Sequence, residues 1–208
     1  MTAIPDNTIA TYSKIAERYD ALHFTPEFWQ REFKVFSRLI PGRHVLDIGC
    51  GTGRDAVLFT NHKFDYVGID GSRNMLRIAR RRAPRGKFLL MNFYRLRFPA
   101  ETFDGFWAGA SLLHIPKKKL GSVLRSIRKI VRRGGVGFVS IKEKRTVDEA
   151  IITEEKYGNQ SRFFAFYGRD EFAKALKQNG FRLIKFHTKK RRSPQSTDWL
   201  CYFVRRIS

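Results

Sequence analysis

At 208 residues the chain has room for one domain with a sizeable core and too little for a second substrate domain of ordinary size. Its 41 Lys and Arg against 19 Asp and Glu leave a formal charge of +22, beyond what solubility requires; this suits RNA or DNA phosphates as a partner, and equally suits a basic source proteome. Cys50 and Cys201 stand far apart without metal-type spacing, no apolar run is long enough to cross a bilayer, and no secretory leader opens the chain, so a reduced cytoplasmic protein without a metal or membrane association is expected.

Residues 26–38 read as a leading helix, stopped before Pro41-Gly42, which feeds a strand at 44–48. A helix over 54–61, a strand over 66–69 and a basic helix over 73–82, ended by Pro84 and Gly86, follow. Strands are expected at 87–91 and 103–108. After Pro116, Leu120, Val123, Leu124, Ile127, Ile130 and Val131 recur at intervals of three and four, which makes one apolar helical stripe with Lys and Arg opposite. Gly134-Gly135 is expected to end that helix and 136–142 to form a fifth strand. Over 143–168 the alternation breaks into an irregular segment, and long connections in compact α/β domains tend to be functional. A helix at 169–179 closed by Gly180, a strand at 181–188, a basic turn over 189–194 and a last strand at 199–204 complete the chain. Strands alternating with helices indicate a mostly parallel sheet.

The chemistry concentrates in Val45-Leu46-Asp47-Ile48-Gly49-Cys50-Gly51-Thr52-Gly53, an apolar strand running into a glycine-rich turn. Glycines at alternate positions let the backbone turn sharply and bring its N–H groups against a ligand, with the next helix pointing its N-terminus the same way. The carboxylate of Asp47 sits badly against a pyrophosphate and well against an ammonium group, which favours a positively charged nucleoside. Gly51-Thr52-Gly53-Arg54-Asp55-Ala56 also satisfies G-x-G-x-x-A, so a dinucleotide cofactor stays open on the glycines alone. Asp70, at the end of the second strand, would accept hydrogen bonds from two ribose hydroxyls, which identifies a nucleoside and not a reaction.

That turn, followed in order by Gly68-Ile69-Asp70-Gly71-Ser72 with Met75-Leu76, Leu96-Arg97-Phe98-Pro99 with Phe103-Asp104-Gly105-Phe106-Trp107, Ser111-Leu112-Leu113-His114-Ile115-Pro116 and Arg132-Arg133-Gly134-Gly135, resembles the class I S-adenosylmethionine-dependent methyltransferases over nearly the whole chain. The resemblance implies an α/β, Rossmann-like, doubly wound fold: a mostly parallel seven-stranded sheet with an antiparallel last strand and helices on both faces. It further implies a single domain over 1–208, with a lid or helix region at 1–40 and a substrate-side insertion at 143–168. The cofactor would be S-adenosyl-L-methionine, held by Gly49, Cys50, Gly51 and Gly53, by Asp47 near its ammonium end, and by Asp70 and Gly71 at the ribose. Met75 would flank the adenine or simply face the core. Asn92, followed by Phe93, stands where the family usually has an aspartate; its side-chain oxygen could take the adenine amino group, or it could shape a turn. Tyr12 and Tyr19 resemble an aromatic lid over a sulfonium, or pack on the domain from one helix face.

Methyl transfer needs alignment and dehydration more than a nucleophile or a metal. Should the acceptor have to lose a proton, His114 is the best-placed base; the alternative is a histidine bonded to backbone at a strand end. Tyr167 and Glu143 are further candidates for acceptor contact, and Arg162 for an anionic acceptor. Three functions follow: methylation of O, N or S on a small molecule, methylation of RNA or DNA through the basic surface, or cofactor binding without turnover.

Overall fold

The computed structural model describes residues 4–190 and 197–207. The chain runs α1 (Ile4–His23), a 3-10 turn (Pro26–Trp29), α2 (Gln30–Leu39), β1 (His44–Ile48), α3 (Arg54–Asn61), β2 (Asp65–Asp70), α4 (Arg73–Arg82), β3 (Lys87–Leu90) and β4 (Phe103–Gly109). It continues with a 3-10 turn (Leu112–His114), α5 (Lys117–Ile130), β5 (Val131–Lys142), β6 (Glu149–Glu154), a 3-10 turn (Glu155–Tyr157), β7 (Gln160–Ala165), α6 (Arg169–Gln178), β8 (Phe181–Lys189) and β9 (Trp199–Arg206).

Seven strands form one sheet in the order β3-β2-β1-β4-β5-β9-β8. Strands β1 to β5 are parallel, and β9 enters antiparallel between β5 and β8. The chain moves outward from β1 to β3 and then returns to β4 on the other side of β1. With right-handed crossovers this reversal sends helices to opposite faces and opens a crevice where β1 and β4 end. The core between the layers is strongly aromatic: Phe36, Phe59 and Phe138 meet Trp107 at ring separations of 5.5, 5.4 and 4.1 Å.

One region refines the sequence expectation and three depart from it. The N-terminal segment, expected as a lid or helix region, is a 20-residue helix, α1; its Ala16, Tyr12 and Tyr19 pack on Met75 and Ile78, and Ile15 is buried as well. The expected helix over 26–38 is a 3-10 turn followed by α2. Gly134-Gly135 does not end α5: the helix stops at Ile130 because buried Val131 already pairs with Phe103, and the glycines lie in an irregular stretch of β5, where Gly134 has φ +75°. The segment 143–168 is not irregular but carries the antiparallel pair β6–β7, outside the main sheet. Of the basic turn expected at 189–194, residues 191–194 lie outside the described residues.

Part of the basic excess has an internal partner. On α4, Arg77 and Arg81 meet Glu17 at 2.9 and 3.6 Å, and Arg82 forks onto Asp20, so this arginine-rich helix holds α1 in place. Among the described residues no helix is long and apolar enough to cross a membrane.

Candidate active site

The turn after β1 is fastened to β2 by backbone: the Gly49 and Cys50 N–H groups donate to the Ile69 carbonyl at 2.8 and 3.0 Å. Asp70 ties the two strand ends together, its carboxylate accepting the Gly51 N–H at 3.0 Å and the Ser72 N–H at 2.8 Å. Gly51 adopts φ +55°, and a Cβ built there meets nothing within 4 Å, so the missing side chain leaves open space in front of the turn. Gly53, at φ +80°, heads α3, and a Cβ there would press on the Ala79 backbone at 2.9 Å.

This turn forms one wall of a cleft of about 960 Å³, counted to its open mouth. Gly49, Cys50, Gly51, Asp70, Gly71, Met75, Asn92 and Phe93 all line it, as do Tyr12, Tyr19 and His114 from the opposite side. Gly53 and Asp47 are not lining residues. Asp47 is buried beneath the turn and accepts the Tyr66 hydroxyl at 2.7 Å; burial, then the nearby charge of Asp55, holds its carboxyl well above the usual range. Burial also pushes Asp70 up to about 6, against the lowering effect of the backbone N–H groups that it accepts. Met75 lines the cleft and packs with Ala16 and Ile78 under α1. Asn92 likewise lines the cleft and shapes its turn, its Oδ1 accepting the Tyr94 N–H at 3.0 Å.

The opposite wall is a chain of side chains. His114 is buried, with Nδ1 2.6 Å from the Phe163 carbonyl, which requires Nδ1 to be the donor; Nε2 then accepts the Tyr12 hydroxyl at 2.8 Å. The Tyr12 oxygen in turn accepts from Arg162 at 2.8 Å. Burial, reinforced by the cations Arg162 and Lys142, lowers the His114 pKa to about 3 and keeps the ring neutral. Across the lid, Tyr12 and Tyr19 meet edge to face at 5.4 Å, and His23 pairs with the Tyr157 hydroxyl. Thr11 and Thr8 of α1 bond the Ser161 carbonyl and the Phe163 N–H, at 2.8 and 3.1 Å, so β7 clasps α1.

Two candidates are not brought here. Glu143 and Tyr167 bridge each other beyond the end of β5 and line neither this cleft nor the cavity beside it. Several lining residues were not foreseen, among them Arg54, Asp55 and Ser111. Arg54 is held by Asp55 at 2.7 Å and lies over Phe28 and Trp29; its place directly after the third glycine was the available signal. The Ser111 hydroxyl is buried without a hydrogen-bond partner in the cleft, a donor and acceptor suited to a bound polar ligand. Away from the cleft, the ligating atoms of Glu32, His187 and Cys201 lie within 4.8 Å of one another, but Lys189 already reaches Glu32 at 3.2 Å and supplies the positive charge there.

Comparisons with known proteins point the same way. A family model described as a methyltransferase domain matches residues 45–135. A demethylmenaquinone methyltransferase of Symbiobacterium thermophilum is 34% identical over 142 residues, 60% of this chain and 54% of that protein. An uncharacterised protein of Methanocaldococcus jannaschii is 31% identical over 180 residues, 84% of this chain and 82% of that one. Among solved structures, the 1,6-didemethyltoxoflavin-N1-methyltransferase of Burkholderia thailandensis, with 1,6-didemethyltoxoflavin and S-adenosylhomocysteine bound, has a TM-score of 0.76 at 19% identity and covers 100% of this chain and 92% of that one. That likeness establishes the fold. The chain spans about half the length of the first curated relatives it matches.

Proposed function

Because the chain belongs to the class I S-adenosylmethionine-dependent methyltransferases, we propose that its cleft holds S-adenosylmethionine and that the protein transfers the methyl group to an O, N or S atom of a small-molecule acceptor. The observation that carries this reading is the unit formed by the 49–53 turn and Asp70, where backbone N–H groups, an acceptor carboxylate and open space at Gly51 meet at one strand end. The residues present fit an adenosyl donor: Asp70 keeps lone pairs for ribose hydroxyls, Asn92 keeps its amide donors for a base edge, and Met75 and Phe93 offer apolar surface. Bound there, S-adenosylmethionine supplies a methyl group already activated by positively charged sulfur.

The protein's own contribution is to align and dehydrate. Tyr12 and Tyr19, which meet edge to face and line the cleft, would act as an aromatic lid that excludes water and offers ring surface to a cation. Neutral His114, with both nitrogens engaged, acts as a positioning residue for Tyr12. A pKa near 3 suits a fixed hydrogen-bond acceptor better than a general base. Asp47 supports the turn from beneath and needs an intervening group to reach the ligand.

The test is incubation with methyl-labelled cofactor and fractionated cell extract. Label in low-molecular-weight material is the expected result. Label in RNA or DNA would replace the small-molecule acceptor, and no label in any fraction alongside tight binding would favour a cofactor-binding protein without turnover.

A further inference from the structure

A second cavity of about 870 Å³ lies beside the cofactor cleft. We propose that this cavity is the acceptor site and that it selects a small aromatic molecule bearing a carboxylate. The inference rests on the methyl-transfer reading above. Tyr12, Tyr19, His23, Arg54, Ala110 and His114 line both spaces, so a group bound in one faces a group bound in the other across a shared wall.

The second cavity is positive. Lys156 and Arg162 line it with a single carboxylate, Glu154, while Arg54 is already matched by Asp55 and Lys142 lies over the Phe164 ring. Glu154 divides itself between Arg162 and Lys156, the latter at 3.0 Å, so the cations outnumber the acid. The surroundings register this field: burial first, and then the charges of Lys156, Arg162 and Arg54, lower the His23 pKa to about 4.

Two residues of this lining each carry a buried donor without a partner. Arg162 is only 6% exposed and is held between the rings of Tyr12, Tyr157 and Phe164. One of its terminal nitrogens donates to Tyr12 and the other pairs with Glu154, but Nε has no acceptor. Trp199 is 7% exposed, and its Nε1 is likewise unpartnered. An unmet donor on a buried guanidinium is costly enough that a native site normally supplies an acceptor for it. A carboxylate is planar, offers two acceptor oxygens and matches the charge, as Glu154 already demonstrates on the same guanidinium. The lining also carries the rings of Phe28, Phe164 and Trp199 and the apolar Leu22 and Leu113, which suits a ring attached to that carboxylate.

The test is calorimetric titration of a set of hydroxybenzoates, and of the matching hydroxybenzamides, into the protein saturated with S-adenosylhomocysteine. The acids should bind, with the amides weaker by about tenfold or more, the scale of one charged hydrogen bond. Trp199→Phe keeps a ring and removes only the donor; it should weaken the acids by roughly fivefold or more, and Arg162→Gln by at least about tenfold, with S-adenosylhomocysteine affinity within about twofold. Trp199→Phe also covers the case in which Arg162→Gln fails to fold. Equal binding of acids and amides, no binding of the acids to a saturated complex, or unaltered acid affinity in Trp199→Phe overturns the proposal. Failure of S-adenosylhomocysteine to bind at all would strike the methyl-transfer reading first and take this proposal with it, so the two failures are distinguishable.

Discussion

The two walls of the site are held by different kinds of structure. The cofactor wall is backbone at the carboxyl ends of β1 and β2, its N–H groups fixed to the Ile69 carbonyl and the Asp70 carboxylate. The lid and acceptor wall is side chains from α1, from the turn after β4 and from β6–β7, joined across sequence gaps such as the 102 residues from Tyr12 to His114 and the 150 from Tyr12 to Arg162. A backbone wall can recognise only what all ligands of one class share, while a side-chain wall can be altered residue by residue. On the proposed reading, the constant donor falls to the first wall and the variable acceptor to the second.

The largest effect that would break this comparison is expected at Asp70. Asp70→Ala removes an acceptor for two ribose hydroxyls and loosens the turn that Asp70 holds, so S-adenosylhomocysteine affinity should fall by about 100-fold or more, at roughly 1.5–3 kcal/mol per charged hydrogen bond. Isothermal calorimetry reads this directly, and an affinity within a few-fold of the parent protein would remove Asp70 from the cofactor wall.

On the other wall the prediction reverses. His114→Ala should slow methyl transfer by about tenfold through loss of Tyr12 positioning, and leave S-adenosylhomocysteine affinity within about twofold. The rate ratio between parent and variant should stay flat between about pH 6 and pH 8, because a histidine titrating near 3 does not change state there. A ratio that varied with pH in that range would make His114 a base after all.

A smaller effect comes from Asp70 itself. Its carboxyl is pushed up to about 6, so near that pH part of the free protein carries the proton. Ribose hydroxyls favour the ionised acceptor, so binding should release protons around pH 6, and affinity should fall, by up to tenfold per unit, as pH drops below it. Calorimetry in two buffers of different ionisation enthalpy checks the sign, and proton uptake on binding would contradict it. The smallest effect is on the lid. His23 takes up a proton in the folded protein only near pH 4, below its ordinary range, so acid favours states in which that ring reaches water. Amide exchange in α1, corrected for its intrinsic pH dependence, should accelerate towards pH 4 before that of β1 and β4.

The same division governs what could be read from sequence. The glycine turn, Asp70 and the five parallel strands carry local signatures, since a sharp turn needs glycine and a buried parallel strand needs a continuous apolar run. The α5 stripe was legible for the same reason. α1 was legible only as a lid or helix region, because its buried side chains are Thr8, Thr11, Ile15 and Ala16, with Tyr12 and Tyr19 partly buried, and it is held by threonine contacts to β7 and by arginines of α4. The β6–β7 pair was missed because the outward face of β6 mixes Glu149, Ile151 and Thr153, which gives no clean alternation of apolar and polar residues, and its strands join no strand of the main sheet. Arg162 was singled out by type alone; its bonds to Tyr12 and Glu154 exist only once α1 and the hairpin have closed over the crevice.

The central claim is that the turn beginning at Gly49 and the carboxylate of Asp70 hold an adenosyl sulfonium donor. Calorimetric titration of the same protein preparation with S-adenosylhomocysteine and with NADH tests it most directly. The account predicts one-to-one saturable binding of S-adenosylhomocysteine and none of NADH; tight uptake of NADH with no response to S-adenosylhomocysteine would contradict it.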